Sequence, residues 1–217
     1  MESSAIEIAP SNENVLWVGT GEGDPRNSTS FGNGVYRSAD GGRSWTHLGL
    51  ADTERIKRIA VHPTNPELAY VCALGHAWGP NDERGVFRTT DGGKTWRKVL
   101  YRNTTTGCSD IAMDPSDPKT LYAGMYTHLR KPWRFDSGGG ETALYKSTDG
   151  GTTWKKLTGH GLPTGEDGRI GISIYRKDPK VVYISIEQGA KYNASTAYII
   201  RKGGVYRSDD KGENWTF

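Results

Sequence analysis

One eight-residue pattern occurs four times along the 217 residues of this chain: SADGGRSW (38–45), TTDGGKTW (89–96), STDGGTTW (147–154) and SDDKGENW (208–215). A short alternating segment precedes each copy, as in GVYRS, GVFRT, ALYKS and again GVYRS. The closing tryptophans lie 51, 58 and 61 residues apart. A unit repeated at such a period must form the same supersecondary structure each time, so the repeat constrains the whole fold.

Each repeat also begins with a related phrase, seen in IEIAPSNENVLW (6–17), IAVHPTNPELAY (59–70), IAMDPSDPKTLY (111–122) and ISIYRKDPKVVY (172–183). Alternation of β-branched or aromatic residues with polar ones indicates strands. We therefore divide each repeat into four strands. Strand A is the IxI-type segment, strand B follows a short turn, strand C precedes the octapeptide, and strand D starts at its tryptophan.

Four-stranded units at this period predict an all-β fold, a β-propeller of antiparallel blades. The predicted blades span about 1–50, 51–102, 103–160 and 161–217, and the last is cut short in its outer strand. Either the four blades close on themselves or they form part of a larger ring, six- to eight-bladed or double. We favour the larger ring, because open sheet edges promote aggregation.

Composition fits a turn-rich β protein, with 34% hydrophobic residues, 29 glycines, 7 tryptophans and 11 tyrosines. The 28 basic and 25 acidic residues are scattered, so no nucleic-acid partner is expected. The apolar runs are too short for a membrane span, and the opening MESSAIEIAP has no signal-peptide pattern. Cys72 and Cys108 have no metal-type spacing, and we expect two buried thiols rather than a disulfide.

The octapeptide has the residue types of a self-bonded turn. Its aspartate can accept backbone N–H groups, its second glycine can adopt positive φ, and its first Ser or Thr can add a hydroxyl bond. Its tryptophan is expected to fill the apolar layer between sheets. We predict a structural role for Asp40, Trp45, Asp91, Trp96, Asp149, Trp154, Asp210 and Trp215.

These octapeptides match the Asp-box, or BNR repeat, and the fourth departs from it only in Asn214. With the phrases VGTGEGDPRNS and ALGHAWGPNDERGV, the chain resembles exported bacterial propeller proteins that are similar to the sortilin N-terminal domain and to glycosyl hydrolases. The resemblance implies a propeller with its boxes on one face and its ligand site on the other, at the B–C and D–A loops. It also implies export to the periplasm, cell surface or extracellular space. It is poorly specific for activity.

The B–C loops are long and carry charged and aromatic groups, which suit glycan or peptide binding. The carboxylates expected to serve catalysis, if there is any, are Glu22, Asp24 and Glu187. The residues expected to bind ligand are Arg26, Asn27, His76, Trp78, Asp82, Arg84, His128, Arg130, Trp133 and Arg134. The alternative for the arginines is pairing with nearby aspartates to hold the loops.

The first functional hypothesis is a platform that binds a glycan, peptide or protein through the B–C face. The alternative is a glycoside hydrolase that uses paired loop carboxylates. A purely architectural role is a third possibility, and the remaining blades or domains of a longer chain are expected partners. Sialidase activity is not expected, because Arg169-Ile170-Gly171 is a poor substitute for the Arg-Ile-Pro motif. No cofactor or metal is expected.

Overall fold

A computed structural model describes residues 3–24, 28–188 and 203–217. In these residues the chain forms four antiparallel sheets in sequence order, joined by loops. The first sheet has the order β1-β2-β3-β4, with strands Ser3–Ala9, Asn12–Thr20, Val35–Ser38 and Thr46–His47. The second has the order β5-β6-β7-β8, with strands Ile56–Val61, Ala69–Ala73, Gly85–Thr89 and Arg97–Leu100. This is the all-β arrangement that the repeat predicts.

The third sheet is larger because its second strand is unusually long. Its strands are β9 (Thr106–Met113), β10 (Leu121–Lys131), β11 (Arg134–Ser137), β12 (Ala143–Ser147) and β13 (Lys155–Lys156). The first half of β10 pairs with β9 and β12, whereas its last four residues pair with β11 alone. Part of the segment that the sequence indicates as a B–C loop is therefore a β-hairpin.

The fourth sheet has three strands, β14 (Asp167–Ile174), β15 (Val182–Gln188) and β16 (Gly204–Ser208). An isolated bridge between Arg207 and Thr216 marks the place where its outer strand would pair. Among the described residues, helix is limited to the 3₁₀ turn Ala51–Thr53, and no described helix is long and apolar enough to cross a membrane.

The hydrophobic core consists of three layers, one between each pair of consecutive sheets. Gly19 on β2 shows how close the sheets approach, because a Cβ atom there would lie 2.3 Å from the Ile56 side chain on β5. In two of the layers, a tyrosine hydroxyl also forms a hydrogen bond across to the next sheet. Tyr70 Oη donates to Gly150 O and Tyr122 Oη donates to Lys211 O, each over 2.7 Å. The strand-B tyrosine of one sheet thus contacts the next octapeptide.

The two cysteines correct the expectation of free thiols. Cys72 on β6 and Cys108 on β9 form a disulfide between the second and third sheets, with Cα atoms 5.0 Å apart. Sequence spacing could not reveal this pairing, because the two residues meet only when consecutive sheets stack. The bridge lies inside the layer, where both cysteines have no exposed surface.

Candidate functional site: the B–C loop face

The first octapeptide forms the self-bonded turn that its residue types predict. Ser38 Oγ donates to Asp40 Oδ1 over 2.8 Å and accepts the Gly42 N–H over 2.8 Å. Asp40 accepts the backbone N–H and the hydroxyl of Ser44 over 2.9 and 2.6 Å. Gly42 has a φ of 87°, and its carbonyl accepts the indole N–H of Trp45 over 3.1 Å. The Ser38 hydroxyl, the Asp40 carboxylate and the Trp45 indole N–H all bond within the turn, so this is a structural fastener.

The other three boxes repeat the hydroxyl and carboxylate bonds, but in the second the Trp96 indole donates to Leu48 O over 2.8 Å and not to its own glycine carbonyl. Hydrogen bonds from Thr95, Thr153 and Asn214 are the main cause that lowers the pKa of Asp91, Asp149 and Asp210 to about 2. Asn214, which replaces the Ser or Thr of the other boxes, makes the same contact, since its Nδ2 donates to Asp210 over 2.8 Å as a hydroxyl would.

The box tryptophans differ in burial. Trp215 is buried in the layer between the third and fourth sheets, and Trp96 and Trp154 pack partly buried against the sheet before their own. Trp45 is 43% exposed, so the expectation that it fills a layer is wrong in this structure. Its indole lies on the side of the first sheet on which the described residues place no neighbouring sheet.

The boxes lie at the end of the sheets that carries the A–B turns. Backbone N–H groups of Gly41, Gly92, Gly150 and Lys211 in the boxes donate to A–B turn carbonyls of Asn14, Glu67, Lys119 and Lys180. Because the strands are antiparallel, the B–C loops emerge at the opposite end. The described candidate residues therefore lie toward the end of the sheets away from the boxes.

Asp24 in the first B–C loop joins three sheets at this face. Its Oδ1 lies 2.9 Å from Lys57 Nζ on β5 and 2.5 Å from Arg169 Nη2 on β14. The hydrogen bond from Lys57, followed by that from Arg169, lowers the pKa of Asp24. The carboxylate is thus held ionised between two cations. No sequence pattern identifies Lys57 as a site residue, because lysine is common at the start of a strand.

Arg169 also contacts the second candidate carboxylate. Its backbone N–H donates to Glu187 Oε2 on β15 over 3.3 Å. Glu22, the third candidate, accepts the Ser30 N–H within its own loop over 3.3 Å. The structure therefore links Asp24 and Glu187 through Arg169, which the sequence marks only by its poor match to the Arg-Ile-Pro motif. Arg26 and Asn27, two of the predicted ligand-binding residues, lie outside the described residues.

The second B–C loop presents Trp78, which is 51% exposed. Beside it, His76 Nε2 lies 3.3 Å from Asp52 Oδ1 and 3.4 Å from Glu54 Oε1. Asp82 accepts the Tyr101 hydroxyl over 2.7 Å. This loop thus carries an exposed indole, and its His76 lies close to two carboxylates from the segment before β5.

Two predicted ligand-binding residues lie inside the protein. The Arg84 side chain donates to four backbone carbonyls, including Leu74 O at 3.1 Å and His76 O at 2.6 Å. Burial and the nearby Arg55 lower the pKa of Arg84 to about 10. His128 has no exposed surface, and its burial lowers its pKa to about 3. Neither side chain reaches the surface, because the loop folds over them, so both position the loops instead.

The third B–C segment carries the remaining candidates on the hairpin of β10 and β11. Trp133 in its turn is 81% exposed, and the adjacent Arg134 forms an ion pair with Asp136. The Arg130 guanidinium lies over the Phe135 ring, 4.4 Å from its centre. The Arg134 pairing is the loop-holding alternative considered from the sequence.

Sequence reasoning missed one buried carboxylate near the propeller axis. Asp110 on β9 accepts the backbone N–H of Ile111 over 2.9 Å and that of Ile172, on the next sheet, over 2.8 Å. Burial raises its pKa. With Glu7, Lys57 and Arg58, it lines a cavity of about 330 Å³ between the inner strands. No motif marks Asp110, because its position depends on the packing of consecutive sheets.

Four antiparallel sheets, each closed at one end by an Asp-box and open at the other as a loop face, define a segment of an Asp-box propeller. The sequence matches the Sortilin-Vps10 family (sortilin, neurotensin receptor 3) over residues 33–162. Since this match covers more than half of the chain, the chain belongs to that family.

Similar proteins include enzymes that are named for xyloglucan. An oligoxyloglucan-reducing end-specific xyloglucanase of Emericella nidulans is 25% identical over 223 residues, covering 82% of this chain and 26% of the relative. Xyloglucanase Xgh74A of Acetivibrio thermocellus is 27% identical over 184 residues, covering 74% and 19%. The chain therefore spans about a fifth to a quarter of the length of these relatives.

A solved structure has the same fold. The crystal structure of an ancestral GH74 enzyme aligns with 99% of this chain and 24% of its own, with a TM-score of 0.68 and 20% identity. At this identity the likeness establishes the propeller-type fold and leaves the activity open.

Proposed function

We propose that this chain is part of a propeller that hydrolyses a glycan at its B–C loop face. The observation that carries the proposal is the Asp24 carboxylate, held ionised between Lys57 and Arg169, with Glu187 accepting the backbone N–H of the same arginine. Two carboxylates in different environments are the usual equipment of glycosidases. The xyloglucanase names of the relatives support a glycan as the substrate class.

In this proposal Asp24 stays ionised and acts as nucleophile or base, because its cations favour the charged form. Glu187 or Glu22 would then donate the proton to the leaving oxygen. The distance between the two acting carboxylates would decide the stereochemistry, with roughly 5–5.5 Å for retention and 6.5–9.5 Å for inversion. The exposed indoles of Trp78 and Trp133 would supply apolar surfaces for sugar rings.

We also propose that the four repeats, at about 1–50, 51–102, 103–160 and 161–217, belong to a larger ring. Apolar side chains are exposed on both terminal sheets, among them Ile6 (63%) and Ile8 (53%) on the first and Val205 (60%) on the fourth. Within the chain, the corresponding positions of the inner sheets are covered by a neighbour. Further blades of a longer chain would cover these faces, whereas a four-bladed ring would have to bring the first and fourth sheets into contact.

We propose that the protein is exported, because its two cysteines form a disulfide. Disulfides persist in oxidising compartments and are rare in the cytosol of most organisms. The Cys72–Cys108 bridge therefore supports a periplasmic, cell-surface or extracellular protein.

The test is release of reducing sugar by the full-length protein from a panel of polysaccharides. Asp24→Asn and Glu187→Gln should each lower the rate by at least about 100-fold, as expected for loss of a general acid–base or nucleophilic group. Glu22→Gln decides which glutamate takes part. Glu13→Gln, an exposed carboxylate on the A–B turn side, is the matched control and should retain full activity.

A non-catalytic binding platform is the second candidate. One observation favours it, namely that a single Asp24 oxygen already accepts both cations and so serves as a loop fastener. Binding of a polysaccharide without turnover, unchanged in Asp24→Asn, would favour the platform over the hydrolase.

A further inference from the structure

The hairpin formed by the end of β10 and by β11 extends beyond the third sheet as a finger, which we define as residues 128–137. Its strands pair from His128 with Ser137 to Lys131 with Arg134, and Pro132 and Trp133 form the turn. Trp133 is 81% exposed, the largest exposure among the described large hydrophobic side chains. An indole at the tip of a paired hairpin offers a flat apolar face with a polar N–H at its edge, and such side chains are enriched at binding interfaces.

The base of the finger is fixed to the scaffold. The Arg130 N–H donates to Ala77 O in the neighbouring B–C loop over 2.8 Å, and the His128 N–H donates to Thr105 O over 3.1 Å. The Tyr126 and Ser137 hydroxyls lie 2.8 Å apart in a further hydrogen bond. Anchoring on both sides pre-organises the tip, and pre-organisation lowers the entropic cost of binding.

The charge on the finger is unbalanced. It contains three cations, Arg130, Lys131 and Arg134, and one carboxylate, Asp136. Lys131 lies directly opposite Arg134 in the strand register. Like charges at directly paired positions destabilise a hairpin. The ion pair of Arg134 with Asp136 offsets only part of this repulsion, and an anion bound at the tip would relieve the rest.

We propose that the finger binds an acidic polysaccharide, with a uronate ring against Trp133 and its carboxylate between Lys131 and Arg134. This deepens the proposed function, on which it rests for a glycan at the B–C face. A uronate carries its carboxylate on the ring itself, so one sugar residue can meet the indole and both cations. Lys131 and Arg134, on either side of the Pro132-Trp133 turn, are charged and exposed, a surface that suits a polyanion better than the apolar interior of a membrane.

The experiment measures binding of the protein to polygalacturonate and to its carboxyl-reduced, neutral form at about 50 mM salt, where charge screening is weak. We expect the acidic polymer to bind roughly tenfold or more tightly, as two partly exposed ion pairs would provide, and to lose this advantage at about 0.5 M salt. Equal affinity for both polymers would overturn the proposal.

Two variants locate the interaction. Lys131→Glu creates an opposite-charge pair with Arg134, so the hairpin keeps or gains stability while binding to polygalacturonate falls roughly tenfold or more. Trp133→Ala should weaken binding to both polymers. Lys94→Glu makes the same charge change in the second Asp-box, at the other end of the sheets, and should leave binding unchanged. Full binding by Lys131→Glu would refute the assignment.

The remaining outcomes separate this proposal from the proposed function. Hydrolysis of a neutral polysaccharide without any preference for acidic polymers would refute binding of an acidic polysaccharide by the finger and leave the proposed hydrolase standing. Tight, Lys131-dependent binding to polygalacturonate without hydrolysis of any polymer would refute the proposed hydrolase and leave the finger proposal standing. Stronger binding to anionic phospholipid vesicles than to polygalacturonate would reassign the finger to membranes.

Discussion

The hydrogen bond from a strand-B tyrosine to the next Asp-box gives a graded test of how the sheets are held together. Tyr122 is 1% exposed, and its hydroxyl donates to Lys211 O over 2.7 Å. Tyr122→Phe removes the donor and leaves the Lys211 carbonyl without it in a partly buried position. The expected loss is about 1–2 kcal/mol of unfolding free energy, the usual cost of an orphaned buried acceptor.

Two other tyrosines at the corresponding position serve as internal comparisons. Tyr70 shares its acceptor, Gly150 O, with the Arg88 guanidinium at 2.8 Å, so Tyr70→Phe leaves the carbonyl bonded and should cost about 0.5 kcal/mol. Tyr183 on the fourth sheet is 38% exposed and pairs with Arg207 at 3.2 Å. Tyr183→Phe should therefore change the stability of the 217-residue chain by less than about 0.5 kcal/mol.

The assay is chemical denaturation of the 217-residue chain and its three variants, supported by melting temperatures. For a chain of this size, each 1 kcal/mol corresponds to roughly 2–4 °C, so Tyr122→Phe should lower Tm by about 2–8 °C. Equal losses in Tyr122→Phe and Tyr183→Phe would refute the reasoning that a neighbouring Asp-box sets the cost. In a longer chain, a rise in the cost of Tyr183→Phe would support a further blade beside the fourth sheet.

Two further predictions concern the disulfide and the boxes. Replacing Cys72 and Cys108 together by Ala opens a cross-link 36 residues apart, which should cost about 3–4 kcal/mol in denaturation measurements; an unchanged midpoint would contradict it. For Asp149, hydrogen bonds lower the pKa from 3.8 to about 2, so its contribution is present above pH 4 and is lost as pH falls through about 2. Asp149→Asn should therefore be less stable than the parent at neutral pH, and the difference should shrink in acid denaturation between about pH 4 and pH 2. A difference independent of pH would refute that assignment.

Much of the fold could be predicted from the sequence because its signals are local and repeated. Strand alternation, the Asp-box chemistry and the period all depend on residues close in the chain, and the four sheets follow them. The third B–C segment was less predictable. The sequence predicts a loop there. The hairpin becomes recognisable only when β10 is known to continue beyond its pairing with β9 and β12.

The sequence predicted on which face of the protein the candidate site lies, but it predicted few of the contacts within that site. Asp24 and Glu187 were expected on one face, yet the cations that hold Asp24 come from Lys57 and Arg169 on two other sheets. Arg84 and His128 were expected to contact ligand, but loop packing buries both. Side-chain composition of a loop cannot distinguish the residues that support it from those that face solvent.

The sequence by itself determined the repeating unit, its strands and the self-bonded turns, because those depend on interactions within a few residues. Only the tertiary structure decided which residues meet across sheets, as in the Cys72–Cys108 bridge and the Asp24 ion pairs. It also decided that Trp45 and Trp133 stay exposed. The physical reason is that these contacts depend on how consecutive sheets stack around the axis. That stacking brings together residues tens to more than a hundred positions apart, a relation that no local pattern encodes.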